Sequence, residues 1–111
     1  MTKLKAPLPL SKQRAGLGKI FANYDDAVAA PIINFSFGDI AARVGETIRF
    51  GNADGVPHTV TAGSPIDPRP DEFDSGVLGT GGTFDVSFDQ PGRYRIFCAL
   101  HPEMQATVVI N

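Results

Sequence analysis

Apolar and polar residues alternate in short runs along most of this chain, and glycine or proline interrupts each run before a long helix could form. Thr47-Ile48-Arg49-Phe50 follows the turn signal Val44-Gly45-Glu46. Phe84, Val86 and Phe88 alternate with Asp85 and Ser87 after the loop from Gly79 to Gly82, and Tyr94, Ile96 and Cys98 share one face of the run after Pro91-Gly92. Ala106, Val108 and Ile110 do the same, in phase with Met104. From about Ile32 a further row puts Ile33, Phe35 and Phe37 on one side and Asn34 and Ser36 on the other. A period of two is the signature of strands with one face towards a core. Eight phenylalanines can fill that core, while 12 glycines and 9 prolines suit the turns. An all-β sandwich is expected, and 111 residues make one such domain.

Two stretches break the pattern. Gly63 to Gly76 contains three prolines and four acids and reads as a surface loop, its Asp71, Glu72 and Asp74 as solvated charges. Residues 1–30 read as a basic N-terminal extension ahead of a domain over 31–111, with a poor helix conceivable over 11–24 because Gly16 and Gly18 each cost about 1 kcal/mol relative to alanine. Lys3, Lys5, Lys12, Arg14 and Lys19 give the first twenty residues five positive charges and no acid; the total is −2, so the rest carries −7. Nothing in that balance favours nucleic acid. No run reaches the ~18 apolar residues of a membrane span, and no signal peptide is evident, so a soluble monomer is expected.

The chemically rare residues fall into one pattern. The chain has two histidines, one cysteine and one methionine besides Met1, and Cys98-Ala99-Leu100-His101-Pro102-Glu103-Met104 spaces three of them as C-x2-H-x2-M, with His58 forty residues upstream. Separately each has a plain reading: a surface histidine, an inert buried thiol, a core-filling methionine. Together, two imidazoles, a thiolate and a weak thioether are the donor set of blue copper. The soft sulfurs favour Cu(I), imidazole suits both oxidation states, and a compromise geometry limits rearrangement when one electron moves. One cysteine allows no internal disulfide, but a metal-held thiol is compatible with an oxidising compartment.

From about residue 32 to 111 the chain resembles the cupredoxins, specifically the amicyanin, pseudoazurin and plastocyanin group. The resemblance is carried by Val44 to Ile48, by Asn52 to Val60 (Asn-Ala-Asp-Gly-Val-Pro-His-Thr-Val), by Phe73-Asp74-Ser75-Gly76, and by Gly92-Arg93-Tyr94 leading to Cys98. It implies a Greek-key β-sandwich of about seven to eight strands with one copper ion at one end, held by His58, Cys98, His101 and Met104. It also implies single-electron shuttling between redox partner proteins such as a cytochrome, oxidase or dehydrogenase, which would dock near His101 on a rim of Val56, Pro57, Leu100 and Pro102. A periplasmic location follows from the same kinship, with any export segment removed. Two positions depart from the group's pattern: Thr59 stands where asparagine commonly follows the first histidine in all three, and Ala99 where threonine follows the cysteine in amicyanin and pseudoazurin. Those are the side chains that lock the cysteine loop in the relatives.

An enzyme is disfavoured. A copper reductase needs an open coordination position or further histidines, and none remain; Cys98 closes a strand instead of opening a helix beside an oriented base. Copper storage, delivery or sensing through the same four residues stays open as the alternative.

Overall fold

The computed structural model describes residues 26–111; the possible helix over 11–24 and nearly all of the basic extension lie outside them. Eight strands form two sheets. β1 (Val28–Ile32), β3 (Ile48–Asn52) and β6 (Thr83–Val86) make one, in the order β1-β3-β6. β2 (Ile40–Ala42), β4 (Thr61–Ser64), β5 (Asp67–Pro68), β7 (Gly92–Phe97) and β8 (Gln105–Ile110) make the other, in the order β2-β8-β7-β4-β5. β1 runs parallel to β3 and β2 parallel to β8, while the other pairings are antiparallel.

The alternation sets what faces inward. Ile48 and Phe50 of β3, Ile96 of β7 and Val108 of β8 have no exposed surface. Fully burying a side chain of this kind contributes about 1.5–3 kcal/mol, so these few positions fix the register of both sheets. Aromatic rings fill the space between: Phe37 meets Phe50 edge-on at 6.3 Å, and Phe73 lies 5.9 Å from Phe88. Across β3 and β6, Arg49 pairs with Asp85 through two bonds of 2.7 Å, but both side chains are partly exposed and the pair adds at most about 1 kcal/mol.

The structure corrects the sequence reading in two places. The row from Ile32 does not continue as a strand. β1 ends there, and Ile33 to Ser36 form a tight turn closed by two backbone bonds of 3.1 Å, with Asn34 and Phe35 at φ of 54° and 57°. Two left-handed residues in succession reverse the chain, so Phe35 faces outward while Phe37 stays in the core. Nor is the stretch after Gly63 all loop. Ser64 pairs with Asp67 and Gly63 with Pro68, a short hairpin whose proline sits on the sheet edge, where its missing N–H is harmless. Gly63 has φ of 98°, and an added Cβ would run into the Asp67 carbonyl oxygen, so only glycine fits.

Tyr94 ties the end of β6 to β7. Its ring lies 4.3 Å from that of Phe88, and its hydroxyl donates to the Gln90 carbonyl at 2.7 Å. Burial first, then the charges of Asp89 and Glu72, raises the phenol above its ordinary range. A raised value in the folded state means the unfolded phenol ionises first, so the contribution is complete below about pH 10 and is lost as pH climbs through the folded value. Tyr94→Phe is expected to cost about 0.5–1.5 kcal/mol at neutral pH and to flatten the alkaline fall in stability. Urea unfolding midpoints at neutral and alkaline pH, compared between the two proteins, measure both effects.

Candidate metal centre

Strand pairing brings the rare residues to one pole. β4 and β7 are antiparallel neighbours with Thr61 opposite Phe97, so the residues just before β4 lie beside those just after β7. His58 and Cys98 occupy those places. β7 and β8 pair Phe97 with Gln105, and the next residues out, Cys98 and Met104, are joined by a bond from the Cys98 N–H to the Met104 carbonyl at 3.1 Å. Between them the loop folds on itself: His101 N–H donates to the Cys98 carbonyl at 3.2 Å, and Met104 N–H to the His101 carbonyl at 2.8 Å. A spacing of three residues is what such a turn needs.

Three donor atoms converge. His58, Cys98 and His101 each offer an atom within 4.8 Å of the others. His58 Nδ1 and His101 Nδ1 are 3.2 Å apart, and Cys98 Sγ is 3.8 Å from the first and 3.5 Å from the second. A first-row ion about 2.0 Å from nitrogen and about 2.3 Å from sulfur, at the centre of such a triangle, would set these edges at about 3.5 Å (N–N) and about 3.7 Å (N–S). The cluster has the size of one metal ion. His58 and Cys98 are wholly buried and Met104 is buried, whereas His101 is half-buried and is the most exposed of the four.

Asp54 enters the sequence analysis only as a member of the Asn52 to Val60 run, yet it orients the first histidine. Its Oδ2 is 2.8 Å from His58 Nε2 and accepts the Phe35 N–H at 2.9 Å, while Oδ1 accepts the Asn34 N–H at 2.7 Å. These bonds, that from Phe35 foremost, hold the carboxyl below the usual range. A carboxylate can only accept, so His58 carries its proton on Nε2 and turns a bare Nδ1 to the centre. The same bonds stabilise the left-handed turn, which sets the Phe35 ring edge-on to both histidines, at 5.1 Å and 4.9 Å between centroids. A carboxylate four residues before a ligand-spaced histidine was the available signal; its reach to the β1 turn was not. Asp54→Ala is expected to lower copper affinity roughly 10–100-fold, checked by competition with a chelator of known affinity.

The residues that the resemblance assigns to a rim are exposed, and one more joins them. Val56, Pro57, Leu100 and Pro102 are exposed at this pole, and Phe35, which the alternation assigned to the core, joins them at 47% exposure. The loop lock also survives the two departures: Thr59 N–H donates to Cys98 Sγ at 3.3 Å, and the Ala99 N–H donates to Thr59 Oγ1 at 2.8 Å.

A thiolate and two imidazoles gathered at one pole of a two-sheet sandwich define a copper protein of the cupredoxin class. The chain belongs to the copper binding proteins of the plastocyanin/azurin family, whose family model matches residues 24–111. It is similar to amicyanin-alpha of Methylorubrum extorquens, 27% identical over 71% of this chain and 66% of that protein. It is also similar to amicyanin of Paracoccus versutus, 26% identical over 66% of this chain and 54% of that protein. The match thus spans about two thirds of the one relative and about half of the other. Among solved structures, a reduced amicyanin mutant matches with a TM-score of 0.67 at 21% identity, covering 78% of this chain and 84% of that one. The Cu(I) form of another amicyanin mutant matches at 0.66 and 22% identity with the same coverage. The cofactor is one copper ion.

Proposed function

We propose that His58, Cys98, His101 and Met104 hold the copper ion and that the protein carries single electrons between redox partner proteins, without substrate chemistry of its own. The observation that carries this reading is the triangle of two Nδ1 atoms and Sγ, with edges of 3.2, 3.5 and 3.8 Å. Copper, when bound, supplies the one-electron couple. The residues supply its surroundings: Cys98 a soft, electron-rich thiolate, His58 and His101 borderline donors, and Met104 a weak fourth contact. Asp54 fixes His58 from behind and the Thr59 amide fixes the sulfur, so the donors need not move when the charge changes.

Electrons would enter and leave at the half-buried His101 edge. Phe35, Val56 and Leu100, at 47%, 37% and 45% exposure, surround it with an apolar face on which a cytochrome, oxidase or dehydrogenase could dock. No helix among the described residues is long and apolar enough to cross a membrane. Kinship to the amicyanins supports work in the periplasm.

Copper reconstitution followed by absorption spectroscopy, electron paramagnetic resonance and voltammetry tests the proposal. A strongly coloured Cu(II) form cycling reversibly at full occupancy is expected. A colourless Cu(II) form rules it out, and rapid surrender of the metal to a chelator or acceptor protein would favour storage or delivery. Met104→Gln is expected to keep copper while shifting both potential and spectrum; identical values would remove Met104 from the ligand set.

A further inference from the structure

Thr59, which replaces the usual asparagine, begins a row of bonds that runs from the cysteine loop to the acidic loop. Its Oγ1 lies 2.8 Å from the Ala99 nitrogen and 2.9 Å from Thr61 Oγ1, which in turn lies 2.9 Å from Asp74 Oδ1. The direction of each bond is determined. A carboxylate only accepts, so the single Thr61 proton goes to Asp74; Thr61 must then accept from Thr59, and Thr59 Oγ1 accepts from Ala99. Every proton points away from the metal centre and towards Asp74. Thr59 and Thr61 are buried, at 4% and 3% exposure, so the bonds act at low local dielectric and polarise one another. Because the Thr59 N–H also donates to Cys98 Sγ at 3.3 Å, this one residue holds the sulfur by its backbone and the following peptide by its side chain.

We propose that Asp74 is a positioning residue for the metal centre, acting through the Thr61 and Thr59 hydroxyls to hold the Cys98–Ala99 peptide and so set the electron density at Cys98 Sγ. The proposal rests on the copper reading above. It separates Asp74 from its neighbours in the acidic loop: Asp67 and Glu72 are paired with Arg69 at the surface, whereas the Asp74 carboxylate receives a bond from a buried strand. Hydrogen bonding around a copper-bound thiolate tunes its potential, so the row links that potential to a surface loop.

The test compares wild type with Thr61→Val, Thr61→Ser, Asp74→Ala and Ser75→Ala. Ser75 lies next to Asp74, and its Oγ accepts the Val60 N–H at 2.8 Å outside the row, so Ser75→Ala controls for simple damage to the strand. In the metal-free protein, Thr61→Val and Asp74→Ala should each speed hydrogen exchange of the Ala99 amide about tenfold, as loss of one well-supported bond implies. In the copper form, both should shift the potential and the thiolate absorption and weaken copper binding roughly 10–100-fold. Thr61→Ser should restore wild-type values, and Ser75→Ala should leave potential and absorption unchanged. The proposal is overturned if Thr61→Val and Asp74→Ala match Ser75→Ala in Ala99 exchange and potential. Should wild type lack a thiolate band, the copper reading fails, and exchange in the metal-free protein still decides whether the row holds the peptide.

Discussion

Cys98→Ser is expected to abolish the intense visible band of the copper-loaded protein and to lower copper affinity by more than the roughly 10–100-fold typical of losing an outer-shell partner. The band requires a thiolate bound to copper, and Cys98 is the only sulfur in the triangle with His58 and His101. A serine oxygen is harder, and at neutral pH it keeps its proton. The fold should survive, because the exchange is nearly isosteric at a buried position where the Thr59 N–H still faces an acceptor. Absorption spectra and chelator competition read the first effect and circular dichroism the second. A coloured Cys98→Ser protein would sink the proposed ligand set.

Phe50→Ala is expected to be the most damaging single change to stability, at about 3–5 kcal/mol. Phe50 lies on the central strand of the three-stranded sheet, has no exposed surface, and meets Phe37 edge-on. Truncation removes the ring and leaves a cavity that two hydrogen-bonded sheets cannot easily close. Against a total of about 5–15 kcal/mol for a domain, that is a large share, and the melting temperature should drop by tens of degrees at about 4–8 °C per kcal/mol. Ile66→Ala supplies the contrast: that side chain is 95% exposed, and a change within about 0.5 kcal/mol is expected. Calorimetry of the three metal-free proteins checks both. A loss below about 1 kcal/mol for Phe50→Ala would mean that the core lies elsewhere.

Much of this was legible in the linear chain, for local reasons. The alternation over Thr47 to Phe50, Phe84 to Phe88, Tyr94 to Cys98 and Met104 to Ile110 predicted the inward faces of β3, β6, β7 and β8, although Ser87 and Phe97 are buried out of phase and Phe84, Tyr94 and Ala106 are only partly buried. It failed at Ile33 to Ser36, where apolar residues at every second position belong to a left-handed turn. Side chains alternate only while φ stays extended, and Asp54, nineteen and twenty residues away, holds Phe35 and Asn34 otherwise. The acidic stretch misled differently, because Asp67-Pro68 pairs only along an edge, where proline is tolerated.

The order of residues alone sets the C-x2-H-x2-M spacing of the proposed donors, because one short turn between two strands keeps residues three apart close together. It also sets most of the core positions of β3, β6, β7 and β8, since the period of a strand is a property of the backbone. Packing of distant segments is what brings His58 to face Cys98, lets Asp54 select the tautomer of His58, sets Phe35 edge-on to the two imidazoles, and joins Ala99, Thr59, Thr61 and Asp74 in one row of bonds. Asp54 and His58 are four residues apart and Thr59 and Thr61 two, but the other contacts join residues 13 to 66 apart in the chain, and those of His58 and Thr59 with the cysteine loop exist only once β4 has paired with β7.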